Sequence, residues 1–200
     1  MEAANNLKHA LVNVDDCVLL VIDVQDYFLD KLTQPQRDKL ISRIGWVMEI
    51  AKILQVPIIA TAEEMPRCGS LTRSLAEKLP PTAPIYNKMI FALADNPDIL
   101  AAVQATGRHT AVLVGMETDV CVAQSAIGLI GAGFQVVALA DATISPGDAH
   151  EFGLERMRGA GVLLMLAKSL YYEWIRTVAM SNQIPEEHFD RIGVPLGMTL

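Results

Sequence analysis

Six short apolar runs punctuate this chain, with stretches of helical periodicity between them. The clearest is "CVLLVIDV", Cys17–Val24, which carries no charge until Asp23. A run this short and this rich in β-branched residues suits a strand covered on both faces. The others are "VPIIATAE" (Val56–Glu63), "PIYNK" (Pro84–Lys88), "HTAVLVGM" (His109–Met116), "FQVVALAD" (Phe134–Asp141) and "VLLMLA" (Val162–Ala167). Between them, Pro35–Gln55 repeats apolar residues at helical spacing. "NPDILAAVQATG" opens with Asn96 as N-cap and Pro97 at the first helical position, and stops at Gly107. "TDVCVAQSAIGLIGAG" reads as a helix capped by Thr118, "GDAHEFGLERMRGAG" as another, and a last helix runs from about Lys168 to Met180. Glu64–Pro80 reads as a loop with one short helix, and the tail to Leu200 as irregular. Strands alternating with helices predict an α/β fold, a doubly wound three-layer sandwich around a six-stranded parallel sheet.

Two hundred residues fit one domain over 1–200, with an N-terminal extension at 1–14 and a C-terminal tail at 181–200 suited to exchange between subunits. A hydrophobic fraction of 52% with only 6% aromatics makes the interior aliphatic, as doubly covered strands require. A net charge of −7 without any Lys/Arg cluster argues against a nucleic-acid partner and reads as solubility. The longest uncharged apolar run, "AGVLLMLA", is too short to span a bilayer, so no membrane partner is expected. The opening residues lack a basic segment followed by an apolar stretch, so no leader is expected either. Cysteines at 17, 68 and 121 follow no metal spacing and imply free thiols in a reducing, cytoplasmic compartment.

In a doubly wound sheet, ligands bind beyond the carboxyl ends of the strands, where the strand order reverses. Three reactive side chains fall on that edge: Asp23 closes the first strand, Lys88 the third, and Cys121 follows the fourth. If the first and fourth strands are neighbours, the Asp23 and Cys121 backbones lie within roughly 5–10 Å. A lysine after a strand is usually solvated and a cysteine early in a helix usually packed, so it is the joint placement that points to a site. An aspartate in an apolar strand, by contrast, is costly to bury unpaired. The thiolate is the nucleophile, and a helix N-terminus and an ammonium both favour it. Asp23 can take the thiol proton and return it to a departing nitrogen. Backbone amides around Thr118–Cys121 can hold an oxyanion. Glu63 and Arg67 follow the second strand on the same edge and are candidate substrate contacts. Phe28 and Phe91, just past Asp23 and Lys88, are candidate walls.

These segments resemble the isochorismatase-like, or cysteine hydrolase, superfamily, from roughly Val14 to Thr177. "LLVIDVQDYF" is similar to the family's opening strand, an aspartate followed two residues later by glutamine, here Gln25, a further candidate substrate contact. "NKMIFALAD" resembles its lysine segment, and "VGMETDVCVAQSAIGLIGAGFQVVALADAT" its nucleophile segment. The resemblance implies an Asp23–Lys88–Cys121 triad and a non-proline cis peptide at Met116–Glu117 that forms the oxyanion hole with Cys121. It also implies a homo-oligomer. Cysteine at 121 favours the thiol hydrolases over relatives that cleave a vinyl ether. Nicotinamidases of the family bind a metal through an aspartate and histidines after the second strand. Here "TAEEMPRCGSLTRSL" contains no histidine, so no metal and no other cofactor is expected. Glu117 stands where many relatives have a small residue, which changes the polarity of the pocket.

The remaining signals carry less. "GLIGAGF" places its glycines after a helix and before a strand, the reverse of a dinucleotide fingerprint, and reads as a C-cap turn. Cys17 starts a buried strand, Cys68 has no evident base, and His150 and His188 form no ligand pair. The residues thus predict a metal-independent cysteine hydrolase that cleaves an amide, imide or carbamoyl C–N bond of a small molecule through a thioester. The alternatives are a catalytically silent scaffold of the same fold and a thiol redox sensor. No second cysteine lies near Cys121 in sequence to resolve a sulfenic acid, which weighs against the sensor.

Overall fold

The computed structural model describes residues 11–200, apart from the side chains of residues 185, 186 and 189–191. The first ten residues of the expected extension at 1–14 lie outside it. Among the described residues six strands form one parallel sheet: β1 (Cys17–Ile22), β2 (Ile58–Glu63), β3 (Ile85–Lys88), β4 (Thr110–Met116), β5 (Gln135–Ile144) and β6 (Leu163–Met165). Their order is β3-β2-β1-β4-β5-β6, so the winding reverses between β1 and β4. Ile22 pairs with Thr61 on one side and Gly115 on the other, and Glu63 pairs with Lys88. The carboxyl ends of four strands are therefore level.

The main helices are α1 (Gln34–Ile53), α2 (Pro97–Ala105), α3 (Ala123–Gly131), α4 (Ala149–Gly159), α5 (Ala167–Ile175) and α6 (Val178–Ile192). Alternate residues of each central strand enter opposite cores. Leu19, Val21, Val112, Val114, Val137 and Leu139 pack with α1, α5 and α6. Leu20, Ile22, Leu113, Val136 and Ala138 pack with α2, α3 and α4. Each fully buried aliphatic side chain contributes about 1.5–3 kcal/mol, which is why the central strands read as unbroken apolar runs.

Local chemistry sets the helix ends. The Thr33 N–H donates to Gln36 Oε1 at 3.0 Å, opening α1, with Pro35 in the first turn. Asn96 caps α2 as expected, accepting from the amides of Asp98 and Ile99. Two readings change. Thr118 is not an N-cap but the first residue of a π-helical turn, Thr118–Val122, which enters α3 from an extended Glu117. The tail is not irregular throughout, because α5 ends at Arg176 in the left-handed region and α6 follows it. The Thr177 hydroxyl accepts from the Met180 amide at the start of α6, and Ile184 is buried in the core.

Arg43 of α1 forms a buried ion pair with Asp141 of β5, whose other oxygen accepts from the Ala167 amide at the start of α5. At the crossover, a Cβ on Gly115 would lie 2.0 Å from the Ile22 carbonyl oxygen, and its φ is +127°. Only glycine lets β4 approach β1 so closely there. Among the described residues, no helix is long and apolar enough to cross a membrane.

Candidate active site

The residue after β1 is Asp23, with φ at +50° in the left-handed region. That turn aims its carboxylate along the sheet edge. The Thr61 hydroxyl donates to Oδ1 at 2.7 Å, and Lys88 Nζ lies 2.8 Å from Oδ2. The latter contact is an ion pair. Lys88 is 0% exposed and Asp23 1%, so both charges depend on each other. Lys88 Nζ also donates to the carbonyls of Ile90 and Phe91, at 3.2 and 3.1 Å, and faces Cys121 Sγ at 3.5 Å.

Cys121 is 4% exposed and sits in the π-helical turn that follows β4. Its thiol donates to Oε2 of Glu63 at 3.2 Å. The peptide between Met116 and Glu117, just before the turn, is cis. Glu117 is paired with Lys31 at 2.7 Å across the mouth, which accounts for the charge at this position.

Burial pushes the Cys121 thiol well above the ordinary thiol range, and the charge of Asp23 adds to this, outweighing the opposing Lys88 ammonium. The sequence reading expects the ammonium to favour thiolate. Here that ammonium is drawn to Asp23, and the resting sulfur holds its proton. Burial works against the charge on Lys88, but the Asp23 carboxylate prevails and raises it above the ordinary lysine value.

Asp23, Glu63, Glu117 and Cys121 line a cavity of about 260 Å³, together with Phe28, Phe91 and Arg67. Tyr27, Lys31 and Val120 also line it, and no spacing pointed to them. Arg67 lies over the Tyr27 ring at 5.6 Å and pairs with Glu64. Gln25 is a correction. Fully buried, it turns its amide away from the cavity and grips the backbone of Glu63, accepting from its N–H at 2.7 Å and donating to its carbonyl at 2.8 Å.

Two further residues behind the turn escaped the sequence reading. Nδ1 of His150 lies 2.9 Å from the Thr118 hydroxyl, and the same ring hydrogen-bonds the Ala140 carbonyl. Gly153 presses on the turn itself: a Cβ there would lie 2.7 Å from the Asp119 nitrogen. Cys68 is buried at the end of the one-turn helix Met65–Cys68 and does not line the cavity. Cys17 donates to the Asn13 carbonyl, and burial pushes its thiol up to about 12.

Asp23, Glu63 and Cys121 bring ligand atoms within 4.8 Å of one another, a spacing that suits a cation. The Lys88 ammonium already stands against Asp23 and Cys121, so positive charge is supplied by the chain itself. The set is suited to moving a proton and presenting a sulfur nucleophile.

A buried cysteine, lysine and aspartate, with the half-buried carboxylate of Glu63, stand at the switch point of a doubly wound parallel α/β sheet. The chain belongs to the isochorismatase family, whose Isochorismatase domain matches residues 17–169. It is 29% identical over 184 residues to the "Probable hydrolase YcaC" of Escherichia coli (strain K12), covering 86% of this chain and 88% of the relative. The crystal structure of the Escherichia coli YcaC gene product, described as an octameric hydrolase of unknown specificity, superposes with a TM-score of 0.81 at 26% identity. That match covers 91% of this chain and 92% of the other. YcaC from Pseudomonas aeruginosa, solved with hexane-2,5-diol and covalent acrylamide, matches with a TM-score of 0.77 at 25% identity, covering 90% and 98%.

Proposed function

We propose that this chain is a metal-independent cysteine hydrolase that cleaves an amide, imide or carbamoyl C–N bond of a small molecule through a thioester on Cys121. The observation that carries this is the thiol of Cys121, 3.5 Å from a fully buried ammonium and 3.2 Å from a carboxylate, opening on a cavity of small-molecule size. The covalent acrylamide in the Pseudomonas aeruginosa relative supports a reactive nucleophile in that protein, since acrylamide bonds through its alkene.

Cys121 attacks the carbonyl carbon, and the amides of Glu117 and Cys121, set by the cis peptide at Met116, hold the oxyanion. Asp23 and Lys88 form the charged floor beneath the sulfur. A carboxylate of the site carries the thiol proton to the departing nitrogen, and water then releases the acid or carbamate. The octameric relative supports a homo-oligomer, with the 181–200 tail as a candidate interface. Three free thiols fit a reducing, cytoplasmic setting.

The test is ammonia or amine release from a panel of primary amides, imides and ureides by wild type and Cys121→Ala. Turnover abolished in a variant with unchanged circular dichroism is the expected result. Full activity in Cys121→Ala contradicts the reading.

A further inference from the structure

Two carboxylates stand beside the sulfur, and their surroundings differ. Both oxygens of Asp23 are engaged, one by the Thr61 hydroxyl and one by the Lys88 ammonium. Protonating Asp23 would strip a wholly buried ammonium of its counterion, a costly state. Glu63 is the group that receives the thiol hydrogen. Its backbone is clamped at both the N–H and the carbonyl by the buried amide of Gln25, so its carboxylate is carried on a fixed stem. It also lines the cavity and can face a bound substrate.

We propose that Glu63, rather than Asp23, shuttles the proton between Cys121 and the leaving nitrogen, and that Gln25 is the residue that positions it. The inference rests on the thioester reading above. The Glu63 carboxylate takes the S–H proton as the sulfur electron pair forms the C–S bond and the carbonyl π pair moves to oxygen. The oxyanion collapses, the C–N bond breaks, and the nitrogen leaves with the proton from Glu63. Glu63 then takes a proton from water as its oxygen attacks the thioester carbon. Collapse expels the Cys121 sulfur, which recovers that proton, leaving the acid and the restored thiol. Asp23 stays ionised throughout and holds Lys88 beneath the sulfur.

This division of labour predicts a dependence on the leaving group. A nitrogen leaves only when protonated, whereas p-nitrophenolate departs unaided. The experiment uses two probes with one acyl group, p-nitroacetanilide and p-nitrophenyl acetate, in single-turnover acylation of the full chain. Wild type, Glu63→Gln, Glu63→Asp, Gln25→Ala and Cys121→Ala are compared. Glu63→Gln is expected to lose about 10²–10⁴-fold toward the anilide and less than about fivefold toward the ester, with Glu63→Asp recovering part of the anilide rate. Gln25→Ala should show the same selective loss in weaker form. Carbamidomethylation of Cys121 by iodoacetamide at neutral pH should become faster in Glu63→Gln, since a negative charge beside the thiol is gone. A merely structural role would slow labelling and both acylations together.

An equal loss toward both probes in Glu63→Gln overturns the assignment while leaving the thioester reading intact. So does a wild type that is acylated by the ester but not by the anilide. Ester hydrolysis that persists in Cys121→Ala, or a wild-type Cys121 that neither probe acylates, overturns the thioester reading and this inference with it.

Discussion

Lys88 buries its entire side chain and sets its ammonium 2.8 Å from a carboxylate oxygen of Asp23, which is itself 1% exposed. Neither charge has water to fall back on. Replacing Lys88 by Met leaves Asp23 buried and unpaired, at a cost of about 3–5 kcal/mol. Urea denaturation should show that loss in Lys88→Met and much of it recovered in the double variant Asp23→Asn/Lys88→Met. Additive losses in the double variant would mean the two side chains do not depend on each other.

The protonated thiol of Cys121 gives a pH signature. Burial, with Asp23, holds its proton more tightly in the folded chain than in the unfolded one, where a thiol titrates near 9. Cys17 shares the sign, raised by burial to about 12. A raised value contributes stability that is present below the unfolded value and lost as pH climbs through the folded one. Unfolding free energy should therefore fall as pH rises from about 9 toward 12. Iodoacetamide labelling of Cys121 should be slow near neutrality and accelerate only above about pH 9, because burial holds the thiol proton. Lys88→Met, which removes the opposing ammonium, should delay it further. Fast labelling at pH 7 would contradict the resting geometry.

Gly153 tests how tightly α4 braces the nucleophile turn. A methyl group there meets the backbone of Asp119 at 2.7 Å from N and 2.8 Å from Cα, atoms that cannot step aside like the tip of a side chain. Gly153→Ala should cost about 1–3 kcal/mol of stability by overpacking. A displacement of the turn by about 1 Å should also lower acylation of Cys121 by about 10²-fold. Calorimetry and single-turnover kinetics read the two effects, and an unperturbed variant would mean the turn does not need this contact.

His150 gives the acid side of the profile. Burial lowers its affinity for a proton below the ordinary value near 6.5, and the neutral ring serves both Thr118 and the Ala140 carbonyl. Its sign is that of a depressed group: stability is present above about 6.5 and lost as pH falls from there through the lower folded value. Melting temperature should drop over that window in wild type and drop less in His150→Gln, which keeps a donor and an acceptor without titrating. An identical acid limb in the two proteins would remove His150 from the account.

Much of this fold is legible because doubly covered strands leave a plain mark. Leu19, Leu20, Val21 and Ile22 are apolar in succession since alternate residues feed two separate cores. The reversal of strand order then brings Asp23, Lys88 and Cys121 to one edge, so the candidate cluster follows from strand ends alone. Other features depend on contacts that no periodicity records. Gln25 looks like a pocket residue by its distance from Asp23, yet one rotation of the chain sends its amide to the Glu63 backbone. His150 reads as an unremarkable helix residue because its partner, Thr118, lies 32 positions away. The first part of the tail forms α6 because Ile184 finds a place in the core, a tertiary gain that local pattern does not announce. The protonation state of Cys121 is likewise set by burial and by three charges converging from β1, β2 and β3.

The most direct test of the central claim is peptide mapping by mass spectrometry after a rapid quench with p-nitrophenyl acetate. The account predicts a single acetyl group on the peptide containing Cys121, absent from Cys121→Ala although Cys17 and Cys68 remain. An acetyl group on Cys17 or Cys68 instead, or ester hydrolysis that continues unlabelled without Cys121, would contradict it.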